Sequence, residues 1–141
     1  LSDGANLCQS LVGGDAMNTA FLCVLIAGLL PYMGTMAAKW GFRRYDNNNP
    51  REWLAQQTGF RARGNAAQAN SFEALPFFIG AVIISLQLGA HQTRRDILAF
   101  LFIVLRMLYI MMYVAGLGTA RSVVWSLGLA SNIAILLVGY R

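Results

Sequence analysis

"AAQANSFEALPFFIGAVIISLQL", Ala66 to Leu88, is as long and as apolar as a bilayer-crossing helix, yet it carries an amide at Asn70, a carboxylate at Glu73 and a proline at Pro76. The hydrocarbon core of a membrane asks for about 20 mostly apolar residues. Read as a span, the stretch makes the chain a membrane protein. Glu73 then becomes a group that must face protein or a wet cavity, because a charge at mid-bilayer costs at least about 2.5–3.5 kcal/mol.

The rest of the 141-residue chain supports that reading. Hydrophobic residues make up 57% and charged residues 12%, against about 45–50% and about 25% in soluble domains. The net charge of +5 is placed beside apolar runs and not along an aromatic-rich soluble face, which argues against a nucleic-acid partner. Cys8 and Cys23 form no metal or redox spacing, and they read as a surface thiol and a small packed thiol. No metal site is expected. His91, the one histidine, falls in a short connection and reads as a solvated loop residue.

Three further spans flank the first: Thr19–Ala38 with a kink at Pro31, Ile97–Ala115 containing Arg106, and Val123–Tyr140. No alternating ten-residue segments of the barrel type occur. The expected fold class is therefore an all-α integral membrane protein, a bundle of four transmembrane helices. Residues 1–16 are polar, lack a basic signal-peptide head, and read as an N-terminal extension. Met17 reads as the natural start of a domain covering residues 17–141. "GAHQTRRD" and "GLGTARS" are short links, so neighbouring helices run antiparallel. The first connection is long, Lys39 to about Asn65, and within it "PREWLAQQ" predicts a short helix opening on proline. Trp40, Tyr45 and Trp53 suit the headgroup level.

Lys39, Arg43, Arg44, Arg51, Arg61, Arg63 and Arg121 fall on one side; Arg94, Arg95 and Arg141 fall on the other. The positive-inside rule places connections one and three in the cytoplasm and both termini outside.

Helical spacing puts Arg63, Asn70 and Glu73 on one stripe of the second span. It does the same for Arg106, Tyr109 and Tyr113 on the third. Facing each other, the two stripes would make a polar seam inside an apolar bundle. Two readings remain open from the residues. In one, Glu73 pairs with Arg106 and the seam is glue between helices. In the other, the seam opens as a pocket for an anionic, hydrogen-bonding ligand entering from the basic side. Arg63 and Arg121 would either contact that ligand or snorkel to the interface.

"RGNAAQANSFEALPFF" resembles the second-helix signature of the MAPEG family, the membrane-associated proteins in eicosanoid and glutathione metabolism. The matching positions are Arg63, Asn70, Glu73, Pro76 and Phe78. "RMLYIMMY" is similar to the family's third-helix pattern, and "ARSVVW" to the Arg-Ser-Val segment opening its fourth. "YDNNNPREWL" looks most like the bacterial branch. The resemblance implies a homotrimer in a bacterial inner membrane, with glutathione as cosubstrate bound between subunits on the cytoplasmic side. Arg63, Asn70, Glu73, Tyr109 and Tyr113 would hold the tripeptide, and Arg106 would belong to the polar network below it. Arg121 would stabilise the thiolate and so be the catalytic residue. Lys39 is a looser match to a basic family position. The implied partners are membrane lipid and a lipophilic small-molecule substrate.

Ala66 and Ala69 stand where some active members have arginine, and Gln68 where some have histidine. The separation of Tyr113 from Arg121 differs by one residue from the eukaryotic patterns. The expected function is a membrane-bound glutathione-dependent transferase or peroxidase acting by thiolate attack on lipophilic electrophiles or lipid hydroperoxides. The alternative is a non-catalytic trimeric lipid-binding or scaffold protein. A transporter or proton relay built on Glu73 is disfavoured by the small size and the lack of repeats.

Overall fold

A computed structural model describes residues 19–41 and 44–140. The polar stretch 1–16, Met17, Cys8, Arg43 and Arg141 lie outside the described residues. In chain order the helices are α1 (Thr19–Leu29), α2 (Pro31–Ala38), α3 (Pro50–Ala55), α4 (Gly59–Gln87), α5 (Gln92–Ala115) and α6 (Gly118–Val138). No strand occurs among the described residues.

Four of these units are long and apolar enough to cross a membrane: Thr19–Ala38 with 20 residues, α4 with 29, α5 with 24 and α6 with 21. At 1.5 Å per residue they run about 30, 44, 36 and 32 Å, against a hydrocarbon core of about 30 Å. The expected four-helix architecture is therefore present. Large apolar side chains such as Leu25, Ile97 and Leu137 remain exposed at 58–62%, which suits a surface whose solvent is lipid.

The helix starts differ from the hydropathy reading, and always in one direction. The second span opens at Gly59 and not Ala66, the third at Gln92 and not Ile97, the fourth at Gly118 and not Val123. Each extra segment is polar. Hydropathy marks where lipid begins; a helix can continue past that point because its hydrogen bonds are internal. Arg63 and Asn65 consequently stand on α4 and not in the connection.

Pro31 produces the expected break. α1 ends at Leu29 and α2 starts with Pro31 in its first turn, because proline lacks the N–H that would continue the ladder. Leu30 keeps right-handed helical dihedrals (φ −56°, ψ −38°), so the two pieces form one span. Pro50 likewise opens α3. Before it, Asp46 accepts from the Asn48 backbone N–H at 2.8 Å and from Asn49 Nδ2 at 3.2 Å, and these bonds hold its carboxyl below the ordinary range.

The two short links close on the same device. Gly89 (φ +73°) and Gly116 (φ +81°) adopt left-handed backbone. Ala90 N bonds Ser85 O at 2.9 Å and Leu117 N bonds Met112 O at 3.0 Å, the long bond of a Schellman ending. α4, α5 and α6 thus fold back on one another within a few residues.

The core lies where the spans meet. Phe78 of α4 is fully buried and stacks on Phe102 of α5, with centroids 4.2 Å apart and planes 14° from parallel. Cys23, Val82, Ile103, Ile110 and Ile135 surround them in the same buried cluster. Cys23 is a free thiol. At the far end of the bundle Asp96 of α5 accepts from the Ala20 N–H at 3.2 Å, satisfying an orphan donor in the first turn of α1.

α2 and α4 touch through bare backbone. A Cβ on Gly34 would lie 2.7 Å from Gly64 O and 2.8 Å from Gln68 N; one on Gly64 would lie 2.8 Å from Ala38 N. Small residues allow this approach between membrane helices, and this crossing sets the position of α4 at the level of Arg63. Gly64→Val is expected to force the helices apart and lower detergent stability by about 1–3 kcal/mol. Gly28→Val, where a Cβ meets nothing within 4 Å, should leave it within about 0.5 kcal/mol. Thermal unfolding of the two variants in one detergent checks the contrast.

Candidate functional site

The site is built on facing stripes of α4 and α5, with α6 closing one side. At the basic end, Arg63 Nε donates to Val114 O at 3.0 Å. Val114 is in the last turn of α5, where carbonyls lack helical partners. The guanidinium also lies against Gly116, whose Cβ would be 3.4 Å from Arg63 Cζ. A cation at a helix C-terminus complements its dipole. Part of Arg63 is thus spent on holding α4 to the end of α5.

One level deeper, a ladder of cations and rings descends the seam. The Arg121 guanidinium sits 4.4 Å from the Tyr113 ring centroid. Tyr113 meets Tyr109 edge to face at 5.5 Å, and Arg106 lies 4.5 Å from the Tyr109 ring. Both cation–ring distances are within the range where the ring quadrupole attracts charge. A cleft of about 490 Å³ opens beside the ladder, lined by Asn70, Tyr109, Tyr113 and Arg121, with Ser122, Trp125 and Ser126 from α6. Ligand sites commonly span about 300–1,000 Å³.

Arg106 ends the ladder and is 5% exposed. Its Nη2 donates to Asn70 O and Asn70 Oδ1, both at 3.0 Å, and lies 3.3 Å from Ser71 Oγ. Ser71 Oγ itself donates to Ala67 O at 2.8 Å. The buried charge is thus met by neutral oxygens of α4.

Glu73 takes no part in that bonding. The Glu73–Arg106 pair of the glue reading does not form; among the described residues the ion pair present is Arg95–Asp96, at 3.9 Å. Glu73 is exposed on the surface of the single chain and is reached by Asn70 Nδ2 at 3.5 Å. It stays near Arg106, because both line a second cavity of about 190 Å³ that also includes Asn70. Asn70 outcompetes the carboxylate because its backbone and side-chain oxygens present together to one nitrogen.

The structure therefore gathers Asn70, Tyr109, Tyr113 and Arg121 in one cleft, with Glu73 and Arg106 just below. Arg63 is at the rim with its Nε occupied. Lys39 is turned aside: its Nζ bonds Tyr45 Oη at 2.7 Å. Sequence reasoning missed Ser71, Trp125 and Asn132. The helical recurrence of Arg121, Trp125, Gly128 and Asn132 at i, i+4, i+7 and i+11 would have marked their shared face.

Arg106→Leu is expected to leave the Asn70 and Ser71 oxygens without their donor at bilayer depth. Stability should fall by at least about 1–3 kcal/mol, read as earlier unfolding in a detergent titration.

The sequence model of the MAPEG family matches residues 19–140, nearly the whole described chain. No match to this chain was found among curated proteins or among solved structures. The family includes glutathione transferases and peroxidases as well as non-catalytic members. With four bilayer-length helices among its described residues and this match over residues 19–140, the chain belongs to the MAPEG family.

Proposed function

We propose that the protein is a membrane-bound, glutathione-dependent transferase or peroxidase for lipophilic electrophiles or lipid hydroperoxides. The observation that carries the reading is Arg121, half-buried over Tyr113 at the edge of a cleft that opens between polar and apolar walls. A free thiol ionises near pH 8.5, and the thiolate is the nucleophile. A guanidinium remains protonated and favours that anion directly.

The residues present fit the tripeptide. Arg121 offers charge-assisted donors for a thiolate or carboxylate, and Tyr109 and Tyr113 offer phenolic hydroxyls. The Glu73 carboxylate, without an ion-pair partner among the described residues, suits an ammonium group. Glutathione would supply the sulfur. In transfer the thiolate forms an S–C bond as the leaving group departs with its electron pair. In peroxide reduction two thiols lose two electrons and two protons, giving disulfide, alcohol and water.

The exposed Glu73 also supports a homotrimer, since a carboxylate at that depth would gain from a partner copy or bound ligand covering it. Arg63 and Arg121 lie at one end of the bundle, and Arg94 and Arg95 lie in the first turn of α5 at the other. That arrangement supports an orientation in a bacterial inner membrane with connections one and three in the cytoplasm.

A non-catalytic lipid-binding or scaffold role has its own support. Arg63 Nε is committed to Val114 O, and Ala66 adds no charge, so fewer cations remain for a tripeptide.

Arg121→Ala should lower the thiolate absorbance of bound glutathione and reduce turnover by about 10²–10³-fold, with assembly by size exclusion unchanged. Arg121→Lys should recover part of both. Glu73→Gln should weaken glutathione binding by about tenfold, read by calorimetry. No binding at millimolar glutathione in the native protein would favour the non-catalytic reading.

A further inference from the structure

The 190 Å³ cavity beneath the cleft has an unexplained feature. It lies between α4, α5 and α6, with walls from Phe77, Phe102, Trp125 and Leu129. Asn132 of α6 also lines it, is 2% exposed, and its Oδ1 has no hydrogen-bond partner among the described residues. Stranding such an acceptor costs about 1–3 kcal/mol in a protein interior, and bilayer lipid offers it no compensation. On α6, Asn132 lies eleven residues after Arg121, about three turns on and about 16 Å deeper on the same face. The cavity shares Asn70 and Trp125 with the upper cleft, so the two are compartments of one seam.

The lining limits the occupant. At about 30 Å³ per water, 190 Å³ holds about six water-sized groups, the end of an apolar chain or one small ring. Ala74, Phe77, Phe102, Trp125 and Leu129 make the apolar walls, and Asn70, Glu73 and Arg106 line it on the α4–α5 side. The unmet group at Asn132 is an amide, which a hydroxyl serves whichever way round the amide sits: it donates to Oδ1 or accepts from Nδ2. A carbonyl, ether or halide can only accept. Gly128 gives the wall its depth, since a Cβ there would meet nothing within 4 Å.

We propose that this deep compartment binds a neutral hydroxyl carried on an apolar chain or ring, and that Asn132 is the residue that recognises it. Asn70 and Glu73, which the transferase reading gives to the tripeptide, line the upper part of the site; Asn132 lies deeper and takes no part in the thiol chemistry. Its occupant is an alcohol or phenol delivered from the lipid phase, and its selectivity is the difference between a hydroxyl and a methyl group of the same size.

The test uses the full chain in lipid nanodiscs, without thiol and without turnover. A failure here therefore leaves the transferase reading standing, and failure of glutathione binding leaves this one standing. Para-fluorophenol and para-fluorotoluene are matched in size and differ by hydroxyl against methyl. Fluorine NMR, corrected against empty nanodiscs, is expected to show saturable binding of the phenol about three- to tenfold tighter than the toluene, the span one neutral hydrogen bond provides. Asn132→Leu keeps the volume and should erase that preference while leaving fluorotoluene binding intact. Gly128→Leu, whose four added carbons take up more than half of the compartment and leave no room for a ring, should abolish saturable binding of both probes and serves where Asn132→Leu does not fold. Equal affinity of the two probes for the native protein would overturn the proposal, as would a preference that survives Asn132→Leu. So would binding that survives Gly128→Leu, or no saturable binding at all, which would make the cavity a water site.

Discussion

A guanidinium buried inside an apolar bundle is the constraint on which the rest of this structure turns. Arg106 sits mid-way along α5 with almost no exposure, and an unmet charge at that depth would oppose insertion by several kcal/mol. The chain meets it with α4, through two oxygens of Asn70 and the hydroxyl of Ser71. Those groups must face α5 at one register, so the bonding fixes both the rotation and the height of α4. The stack of Phe78 on Phe102 and the bond from Arg63 to Val114 then fall into place below and above it. Apolar packing alone would specify less, because lipid competes for apolar contacts on nearly equal terms.

Fixing that register has a chemical consequence. Since neutral oxygens satisfy Arg106, the Glu73 carboxylate has no ion pair among the described residues and stays beside the cavity. A Glu73–Arg106 pair would have closed the seam and cancelled both charges. The observed arrangement keeps one charge buried for structure and leaves the other accessible for a ligand or a neighbouring copy. The ladder from Arg106 through Tyr109 and Tyr113 likewise carries order outward to Arg121, which meets the Tyr113 ring and, among the described residues, keeps its hydrogen-bond donors for other partners.

The sequence made the spans legible because twenty-residue apolar runs have few alternative explanations, and Pro31 and Pro50 act locally and without exception on the N–H they remove. The stripes of α4 and α5 were legible too, since helical periodicity alone sets Arg63, Asn70 and Glu73 on one face and Arg106, Tyr109 and Tyr113 on another. Helix starts were not, because Gly59–Asn65 is polar and hydropathy is blind to a helix that has left the lipid. The choice between Glu73 and Asn70 as the partner of Arg106 was also out of reach. Charge favoured the glutamate, and only the three-dimensional register shows two Asn70 oxygens converging on one nitrogen. Asn132 was lost among the apolar residues of the last span, although a lone amide at that depth carries the same implication as Glu73.

One seam thus serves two ends that pull against each other. Stability favours filling every polar vacancy between α4, α5 and α6; binding requires that some remain. The structure separates them by depth and by residue type. Arg63, Ser71 and Arg106 are bonded within the chain, while Glu73, Arg121 and Asn132 keep groups in hand along the cavities. A substitution in the first set should act on folding before it acts on any ligand, and one in the second set the reverse. Loss of activity is therefore informative about chemistry only where the bonded set is intact, and unfolding in detergent is the measurement that tells which set a residue belongs to.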